Sequence, residues 1–245
     1  MNNKTAVITG ASKGIGKAIA EAFAHNGYNV VINYNKSEND AVILKDTLTK
    51  QGCVCEIFKA DVGNYEEAKS LIDFCIDKYG KIDTLVNNAG ISQIKLFTDI
   101  TPYEWDEMIK TNLSGVYNCT HNAVKYMLSE KSGNIINISS MWGIDGASCE
   151  VHYSAAKAGV IGFTKALAKE LGLSGIRVNC ISPGVIMTDM MKDFTDEDLE
   201  LIKQDIPLNR FGTPEDVAEL ALFLASDKAK NITGQNISTN GGQVV

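Results

Sequence analysis

The chain has 245 residues, 44% of them hydrophobic, and a formal net charge of −7. This length suits one α/β domain with a well-buried core, so we predict a single domain over residues 1–245. The negative charge argues against nucleic acid or an anionic membrane as a main partner. No apolar run reaches the ~18 residues that a membrane-spanning helix needs.

The cysteines and histidines predict neither a disulfide framework nor a metal site. The six cysteines form no C-x-x-C pair, and the three histidines are scattered along the chain. The N-terminus also lacks the apolar core of a signal peptide. We therefore expect free thiols and a cytoplasmic location.

Strand-like and helix-like patterns alternate along the whole chain. Several strands are continuous apolar runs, which is typical of a parallel sheet covered on both faces. Such alternation predicts a doubly wound, Rossmann-like α/β fold, whose ligands bind beyond the carboxyl ends of the strands. Strands are predicted over residues 5–8, 29–33, 54–58, 84–87, 133–138, 177–182 and 236–239, and helices over 15–26, 38–51, 64–79, 103–128, 151–172 and 214–225.

A glycine-rich turn, Thr9–Gly16, follows the first predicted strand. Its glycines follow a G-x-x-x-G-x-G spacing. They permit a tight turn and close approach of a pyrophosphate, while the next helix offers unpaired N–H groups to the phosphates. The alternative is an ordinary glycine-rich βα turn. The residues predicted to contact a dinucleotide here are Gly10, Ser12, Lys13, Gly14, Ile15 and Gly16.

The end of the second strand indicates which nicotinamide cofactor binds. An NAD site usually places an acidic residue there for the ribose 2′-hydroxyl. Here the run Asn33-Tyr34-Asn35-Lys36-Ser37 has no acid before Glu38. Lys13 and Lys36 offer positive charge to a 2′-phosphate, although both residues are also common on solvated surfaces. We therefore predict NADP(H).

Polar residues follow several other strands and should converge at the same edge of the sheet. Small residues after the fourth strand would let a cofactor lie close to the backbone. Ser140 follows the fifth strand beside Ser139, and a loop or capping role is the alternative for either serine. The residues that follow the third and fourth strands at this edge include Asp61, Val62, Asn88, Ala89 and Gly90.

Tyr153 and Lys157 have the spacing that places two side chains on the same face of a helix. A fixed ammonium favours the phenolate, so we expect the pKa of Tyr153 to fall below its usual value of ~10. A lowered pKa would suit a phenol that acts as an acid or base near neutral pH.

Together these residues resemble the short-chain dehydrogenase/reductase family, and most of all its bacterial 3-oxoacyl-acyl-carrier-protein reductases. The resemblance implies a catalytic set of Ser140, Tyr153, Lys157 and Asn112, in which Asn112 opens its helix locally and holds a water linked to Lys157. It also implies a homotetramer. The further cofactor contacts that it implies are made by Asp61, Val62, Asn88, Ala89, Gly90, Tyr153, Lys157, Pro183, Gly184 and Thr188. The alternative for Asn112 is a polar residue that faces a neighbouring helix. The landmarks are Thr9-Gly10-x-x-x-Gly14-x-Gly16, Asp61-Val62, Asn87-Asn88-Ala89-Gly90, Asn112, Ser140, Tyr153-x-x-x-Lys157, and Pro183-Gly184 with Thr188.

The same resemblance implies a ketone substrate, with a 3-oxoacyl thioester on acyl carrier protein as the leading prediction. An acidic carrier would need basic residues near the pocket mouth. The resembling reductases have arginines before the fifth and sixth predicted strands, where this chain has Lys131 and Ser174.

Two other functions stay open. The loop Met141–Glu150 brings Asp145 and Glu150 towards the site, and these acids would suit a cationic substrate. This loop resembles that of reductases acting on an aminopentanone attached to elongation factor P. Cys149 and Glu150, just before Tyr153, are interpreted as bordering the pocket; the alternative is a solvent-exposed loop. The second alternative is a non-catalytic dinucleotide-binding protein.

Overall fold

The computed structural model describes residues 4–188 and 195–244. Its centre is one sheet of seven strands in the order β3-β2-β1-β4-β5-β6-β7, and every neighbouring pair is parallel. The sheet confirms the predicted doubly wound, Rossmann-like arrangement. The strands are β1 (Thr5–Ile8), β2 (Asn29–Tyr34), β3 (Cys55–Lys59), β4 (Thr84–Asn87), β5 (Gly133–Ile138), β6 (Ile176–Pro183) and β7 (Asn236–Thr239).

The helices fill the crossovers between the strands. Short 3₁₀ turns occur at Phe97–Asp99, Met141–Gly143, Gly172–Ser174 and Asp227–Ala229. The α-helices are α1 (Gly14–His25), α2 (Glu38–Lys50), α3 (Tyr65–Tyr79), α4 (Pro102–Ile109), α5 (Gly115–Glu130), α6 (Val151–Leu171), α7 (Asp196–Gln204) and α8 (Pro214–Ala225).

Two helical features differ from the sequence prediction. The helical stretch predicted over 103–128 is present, but a π-helical segment, Lys110–Ser114, interrupts it between α4 and α5. Helix α7 was not predicted. A capping box at its start is the sequence signal that could have predicted it. The hydroxyl of Thr195 accepts from the amide of Asp198, and the Asp198 carboxylate accepts from the amide of Thr195.

The core lies on both faces of the sheet. Along β1 all four residues are buried; Ala6 and Ile8 pack with α1, α2 and α8, whereas Val7 packs with α3 and α5. Burying one such aliphatic side chain contributes about 1.5–3 kcal/mol. This double coverage explains the continuous apolar strand sequences, and it leaves the carboxyl edge of the sheet to the polar residues.

None of the helices in the described ranges combines the length and the apolar character needed to cross a membrane.

Candidate active site

The glycine-rich turn packs tightly against the end of β4. A Cβ atom added to Gly10, which has φ +60, would lie 2.8 Å from the Cα of Ala89. One added to Gly16 would lie 2.4 Å from both the Nδ2 of Asn88 and the carbonyl oxygen of Gly10. These contacts leave no room for a side chain, so the two glycines are required for the shape of the turn.

Thr9 and Asn88 connect the glycine-rich turn to the end of β4 by hydrogen bonds. The Thr9 hydroxyl accepts from the amides of Asn88 at 2.9 Å and Ala89 at 3.0 Å. The Asn88 side chain donates to the carbonyl oxygens of Thr9 at 3.0 Å and Gly10 at 3.1 Å. Asn88 was predicted to contact the cofactor, and here its side-chain amide holds the glycine-rich turn in place.

Asn33 supports the turn from the other side, and the sequence analysis did not single it out for this role. Its Oδ1 accepts from the amide of Gly10 at 3.1 Å, and its Nδ2 donates to the carbonyl oxygens of Phe58 at 3.3 Å and Ala60 at 3.1 Å. Asn33 is buried at the end of the apolar run Val30–Ile32. A buried amide in that position was the available signal, because it must find hydrogen-bond partners.

The N-terminus of α1 opens into a groove of about 520 Å³. No side chain caps this helix end, so its first N–H groups are available to an anion. Thr188 also lines the groove, within 3.5 Å of a Cβ added to Gly14. Lys13 lies at the groove with its Nζ 3.1 Å from Oδ2 of Asp40, an ion pair that the sequence analysis missed.

The remaining predicted cofactor residues lie along the same carboxyl edge. The Asp61 carboxylate accepts from the amide of Gly63 at 2.9 Å and lies 3.4 Å from the Lys110 ammonium. The Val62 carbonyl accepts from the side chain of Asn118 at 2.9 Å. Pro183 ends β6, and Gly184 follows it against Asn240. Lys36 is exposed just beyond β2.

The two serines after β5 have separate partners. Ser139 is buried, and its hydroxyl donates to the carbonyl oxygen of Lys157 at 2.8 Å. The Ser140 hydroxyl instead accepts from the amide of Trp142 at 3.2 Å. Ser140 also lies close enough to Tyr153 to lower the pKa of the phenol. Ser140 is therefore the serine that shares a site with the phenol.

The expected fall in the pKa of Tyr153 is wrong. Burial raises the pKa of Tyr153 to about 12, and the nearby Ser140 side chain only partly offsets this shift. Helical spacing does bring the Lys157 Nζ to 5.6 Å from the Tyr153 ring centroid. Desolvation of the phenol is the largest cause of its raised pKa.

Lys157 is buried, and its ammonium donates to the carbonyl oxygen of Ile138 at 2.9 Å. Burial lowers the pKa of Lys157 to about 8. The cause is again desolvation, which disfavours the charged form of a lysine.

Asn112 lies within the π-helical segment and reaches the same space. Its Oδ1 accepts from the amide of Ile91 at 3.0 Å, and its Nδ2 donates to the carbonyl oxygen of Ile91 at 2.9 Å. A Cβ added to Gly90 would lie 2.5 Å from Oδ1 of Asn112 and 3.5 Å from Nζ of Lys157. The bare backbone of Gly90 therefore separates the two polar groups, and Asn112 opens the helix where the resemblance implied.

Comparison with known proteins agrees with this geometry. A family model described as enoyl-(acyl carrier protein) reductase matches residues 10–243. The 3-oxoacyl-(acyl-carrier-protein) reductase FabG of Staphylococcus aureus is 45% identical over 239 residues, covering 98% of this chain and 97% of that protein. The chain belongs to the short-chain dehydrogenase/reductase family. As an oxidoreductase of this family, it is expected to use a nicotinamide dinucleotide.

Two further relatives match over nearly their whole length. The 3-oxoacyl-(acyl-carrier-protein) reductase of a Synechocystis species is 45% identical, covering 99% of this chain and 97% of that protein. The uncharacterized oxidoreductase YmfI of Bacillus subtilis is 44% identical, covering 98% of each chain.

In this short-chain dehydrogenase/reductase, Glu150 borders the phenol. Burial raises the pKa of the Glu150 carboxyl, and the Glu150 carboxylate contributes to raising the pKa of Tyr153. Within residues 4–188 and 195–244, no cation lies within ion-pair distance of Glu150. Cys149, beside it, has a positive φ of 62, and its carbonyl oxygen accepts from the amide of Lys95 at 2.7 Å.

The two positions where the resembling reductases have arginines lie away from Ser140 within one chain. Lys131 and Ser174 precede β5 and β6, so they lie at the amino edge of the sheet, opposite Ser140. They do lie near each other, since a Cβ added to Gly175 would be 2.5 Å from the Lys131 carbonyl oxygen. In a parallel sheet, residues before the strands and residues after them are separated by the strand length.

No group of three or more acidic, histidine or cysteine side chains suited to a metal ion occurs in the part of the chain that the structure describes.

Proposed function

We propose that the protein is an NADPH-dependent carbonyl reductase whose substrate is a 3-oxoacyl group carried on acyl carrier protein. The observation that carries the proposal is the grouping of Ser140, Tyr153 and Lys157 at one site, with Lys157 and Asn112 both approaching Gly90. The substrate comes from the relatives named as 3-oxoacyl reductases, which match nearly the whole chain.

The turn and the groove fit a dinucleotide. The backbone at Gly10 and Gly16 is bare, and the α1 N–H groups are uncapped, as a pyrophosphate requires. When bound, the reduced cofactor supplies the hydride that the ketone carbon accepts. NADPH is favoured over NADH because β2 ends without an acid, Lys13 lines the groove, and Lys36 is exposed just after β2.

Each residue of the site has a defined part in the proposed reaction. Ser140 hydrogen-bonds the ketone oxygen and orients it, and Tyr153 donates its proton to that oxygen as negative charge develops. The raised pKa of about 12 keeps the phenol protonated in the free protein, which is the form that donates. Lys157 binds the nicotinamide ribose, and its ammonium stabilises the phenolate left by the transfer.

Asn112 completes the path that returns a proton to Tyr153. Its Oδ1 lies beside Gly90, on the side where Lys157 also approaches. A water held between Asn112 and Lys157 would connect the ammonium to solvent, so the phenol can be reprotonated after each turnover.

The experiment that tests this function is a comparison of ketones by NADPH oxidation. The panel contains acetoacetyl-acyl carrier protein, a free thioester mimic and an unrelated ketone. The proposal predicts the highest kcat/KM for the carrier-bound thioester and a lower value with NADH in place of NADPH. A preference for NADH, or no activity on any 3-oxoacyl thioester, would contradict it.

One observation favours a second function, reduction of an aminopentanone attached to elongation factor P. Glu150 places a carboxylate beside Tyr153 with no ion-pair partner among the described residues, which suits a substrate that carries an amine. The two functions make opposite forecasts for Glu150→Gln. For the carrier-bound thioester the rate should hold or rise, whereas for the amino-ketone KM should rise by about tenfold, equivalent to ~1.4 kcal/mol.

We further propose that this single-domain chain forms a homotetramer in the cytoplasm. The surface of the α4 region carries large exposed hydrophobic side chains, with Phe97 at 67% and Tyr103 at 71% exposure. Exposed apolar groups of this size favour association. The six cysteines are free, which fits a reducing compartment.

A further inference from the structure

Residues 91–95 connect β4 to α4 without regular secondary structure. Hydrogen bonds to residues of the active-site region hold both ends of this segment. Both backbone polar groups of Ile91 are hydrogen-bonded to the side chain of Asn112. The amide of Lys95 donates to the carbonyl oxygen of Cys149, four residues before Tyr153, at 2.7 Å. We call residues 91–95 the pocket segment. Its position is thus set against both halves of the catalytic set.

A buried histidine bonds the middle of this segment. His152 precedes Tyr153 on α6 and has 0% exposure. Its Nε2 lies 3.1 Å from Oε1 of Gln93. The Nε2 of Gln93 donates to the Glu104 carboxylate at 2.9 Å, and the Lys95 ammonium donates to the same carboxylate at 2.7 Å.

These partners settle which atom carries each proton. A carboxylate only accepts, so Gln93 turns its NH₂ group to Glu104 and its carbonyl oxygen to His152. The Nε2 of His152 must therefore carry the hydrogen. Its Nδ1 is buried and has no partner within the described ranges, which suits the bare acceptor of a neutral imidazole. Burial lowers the pKa of His152; nearby Glu104 opposes this shift and Lys95 adds to it.

The pocket segment also carries two exposed apolar side chains. Ile91 is 44% exposed and Ile94 is 70% exposed, on either side of the bonded Gln93. Gln93 bonds the residue that precedes Tyr153, so the segment lies beside the start of α6. A shift of the segment would therefore move these exposed side chains relative to the start of α6 without touching the glycine-rich turn.

We propose that His152 is a positioning residue, which acts through Gln93 to hold the pocket segment against the start of α6 and so fixes where the ketone lies relative to Tyr153. This inference rests on the proposed reductase function. According to this proposal, the bond between His152 and Gln93 affects the affinity for the ketone. It does not affect cofactor binding, which depends on the glycine-rich turn.

The test compares His152→Phe, which fills similar space without a donor, with His152→Gln, whose amide can donate from nearly the same point. His121→Phe is the matched control, because His121 also pairs through its ring with Tyr65, at 2.8 Å, but far from the pocket segment along the chain. The first readout is hydrogen exchange at the amides of Ile91 and Lys95. The second is KM for the ketone, compared with kcat and with the Kd for NADPH.

His152→Phe should speed exchange at both amides and raise the ketone KM by about tenfold, the size expected for one lost buried hydrogen bond. The Kd for NADPH should stay unchanged, and kcat should fall less than KM rises. His152→Gln should restore both readouts to within about threefold, and His121→Phe should change neither.

Unchanged exchange and unchanged KM in folded His152→Phe would overturn the proposal, as would equal defects in the Phe and Gln variants. If His152→Phe does not fold, Gln93→Leu makes the same test from the pocket segment, with the same expected changes. A wild-type protein that reduces no ketone would refute the proposed function alone, since the exchange measurements need no substrate.

Discussion

Lys157 is the residue whose charge should depend most strongly on pH in the working range. Its pKa of about 8 in the free protein means that the side chain is largely neutral at pH 9. Binding an anionic cofactor favours the ammonium, so NADPH binding at that pH should take up a proton. Calorimetry in buffers of different ionisation enthalpy measures this uptake, which should approach one proton at pH 9 and vanish at pH 6.

The control for this prediction is Lys157→Met, which removes the titrating group but keeps an unbranched side chain. It should bind NADPH more weakly, with no proton uptake attributable to position 157. A wild-type binding enthalpy that is the same in every buffer at pH 9 would show that Lys157 does not titrate there.

Asp40 should oppose the binding of NADPH through its ion pair with Lys13. Asp40→Asn removes the competing carboxylate, so Lys13 is released for a 2′-phosphate. We expect a fewfold lower Kd for NADPH, in keeping with the ~0–1 kcal/mol typical of an exposed pair, and no change for NADH. Fluorescence titration gives both constants.

Glu21→Gln is the matched control, since it removes the carboxylate that pairs with Lys17 at 3.8 Å in the same groove. Equal gains for NADPH and NADH in Asp40→Asn would show that Lys13 does not discriminate between the cofactors.

For single residues, the sequence predicts which side chains lie together better than it predicts how their pKa values shift. The spacing of Tyr153 and Lys157 along a helix is a local property, and it predicted that they lie together. The direction of the Tyr153 pKa shift depends on how deeply the pocket is buried, which only the packed structure decides. The role of Asn33 and the partner of Lys13 depend on tertiary contacts in the same way.

Among the elements, the junction between β4 and the π-helical segment should tolerate no added methyl group. In Gly90→Ala the new Cβ would lie 2.5 Å from Oδ1 of Asn112, whose amide is already held by both polar groups of Ile91. We expect about 1–3 kcal/mol of lost stability and at least about tenfold lower turnover. Thermal unfolding and NADPH oxidation measure the two effects.

Gly172→Ala provides the contrast, because Gly172 has φ −56 and nothing within 4 Å of an added Cβ. It should leave turnover unchanged and stabilise the protein by about 0.4–1 kcal/mol. Wild-type activity in Gly90→Ala would mean that Asn112 does not need its observed position.

The elements that sequence patterns predicted are those with continuous apolar runs or glycine ends, namely the seven strands and most helices. The break in the predicted helix 103–128 was implied only by family resemblance. Its physical cause is the bonding of Asn112 to the Ile91 backbone, a contact between residues 21 positions apart. Periodicity within a helix carries no information about such a contact.

For the whole molecule, the proposed tetramer predicts that the exposed apolar surface near α4 lies between subunits. Light scattering coupled to size-exclusion chromatography should give four chains for the wild type. Tyr103→Asp should reduce that mass, because a charge buried in an apolar interface is costly. Ile43→Asp, a change at a 64% exposed position on α2, should not. A monomeric wild type at micromolar concentration would contradict the proposal.

The measurement that tests the central claim most directly is NADPH oxidation by the wild type and by Tyr153→Phe, with acetoacetyl-acyl carrier protein as substrate. Loss of the phenolic proton should lower turnover by at least ~10²-fold, the lower end of the range for general acid catalysis. The variant should still bind NADPH, since the turn and its supports are unchanged. Turnover in Tyr153→Phe near that of the wild type would contradict the mechanism, and tight NADPH binding without turnover by the wild type would indicate a non-catalytic dinucleotide-binding protein.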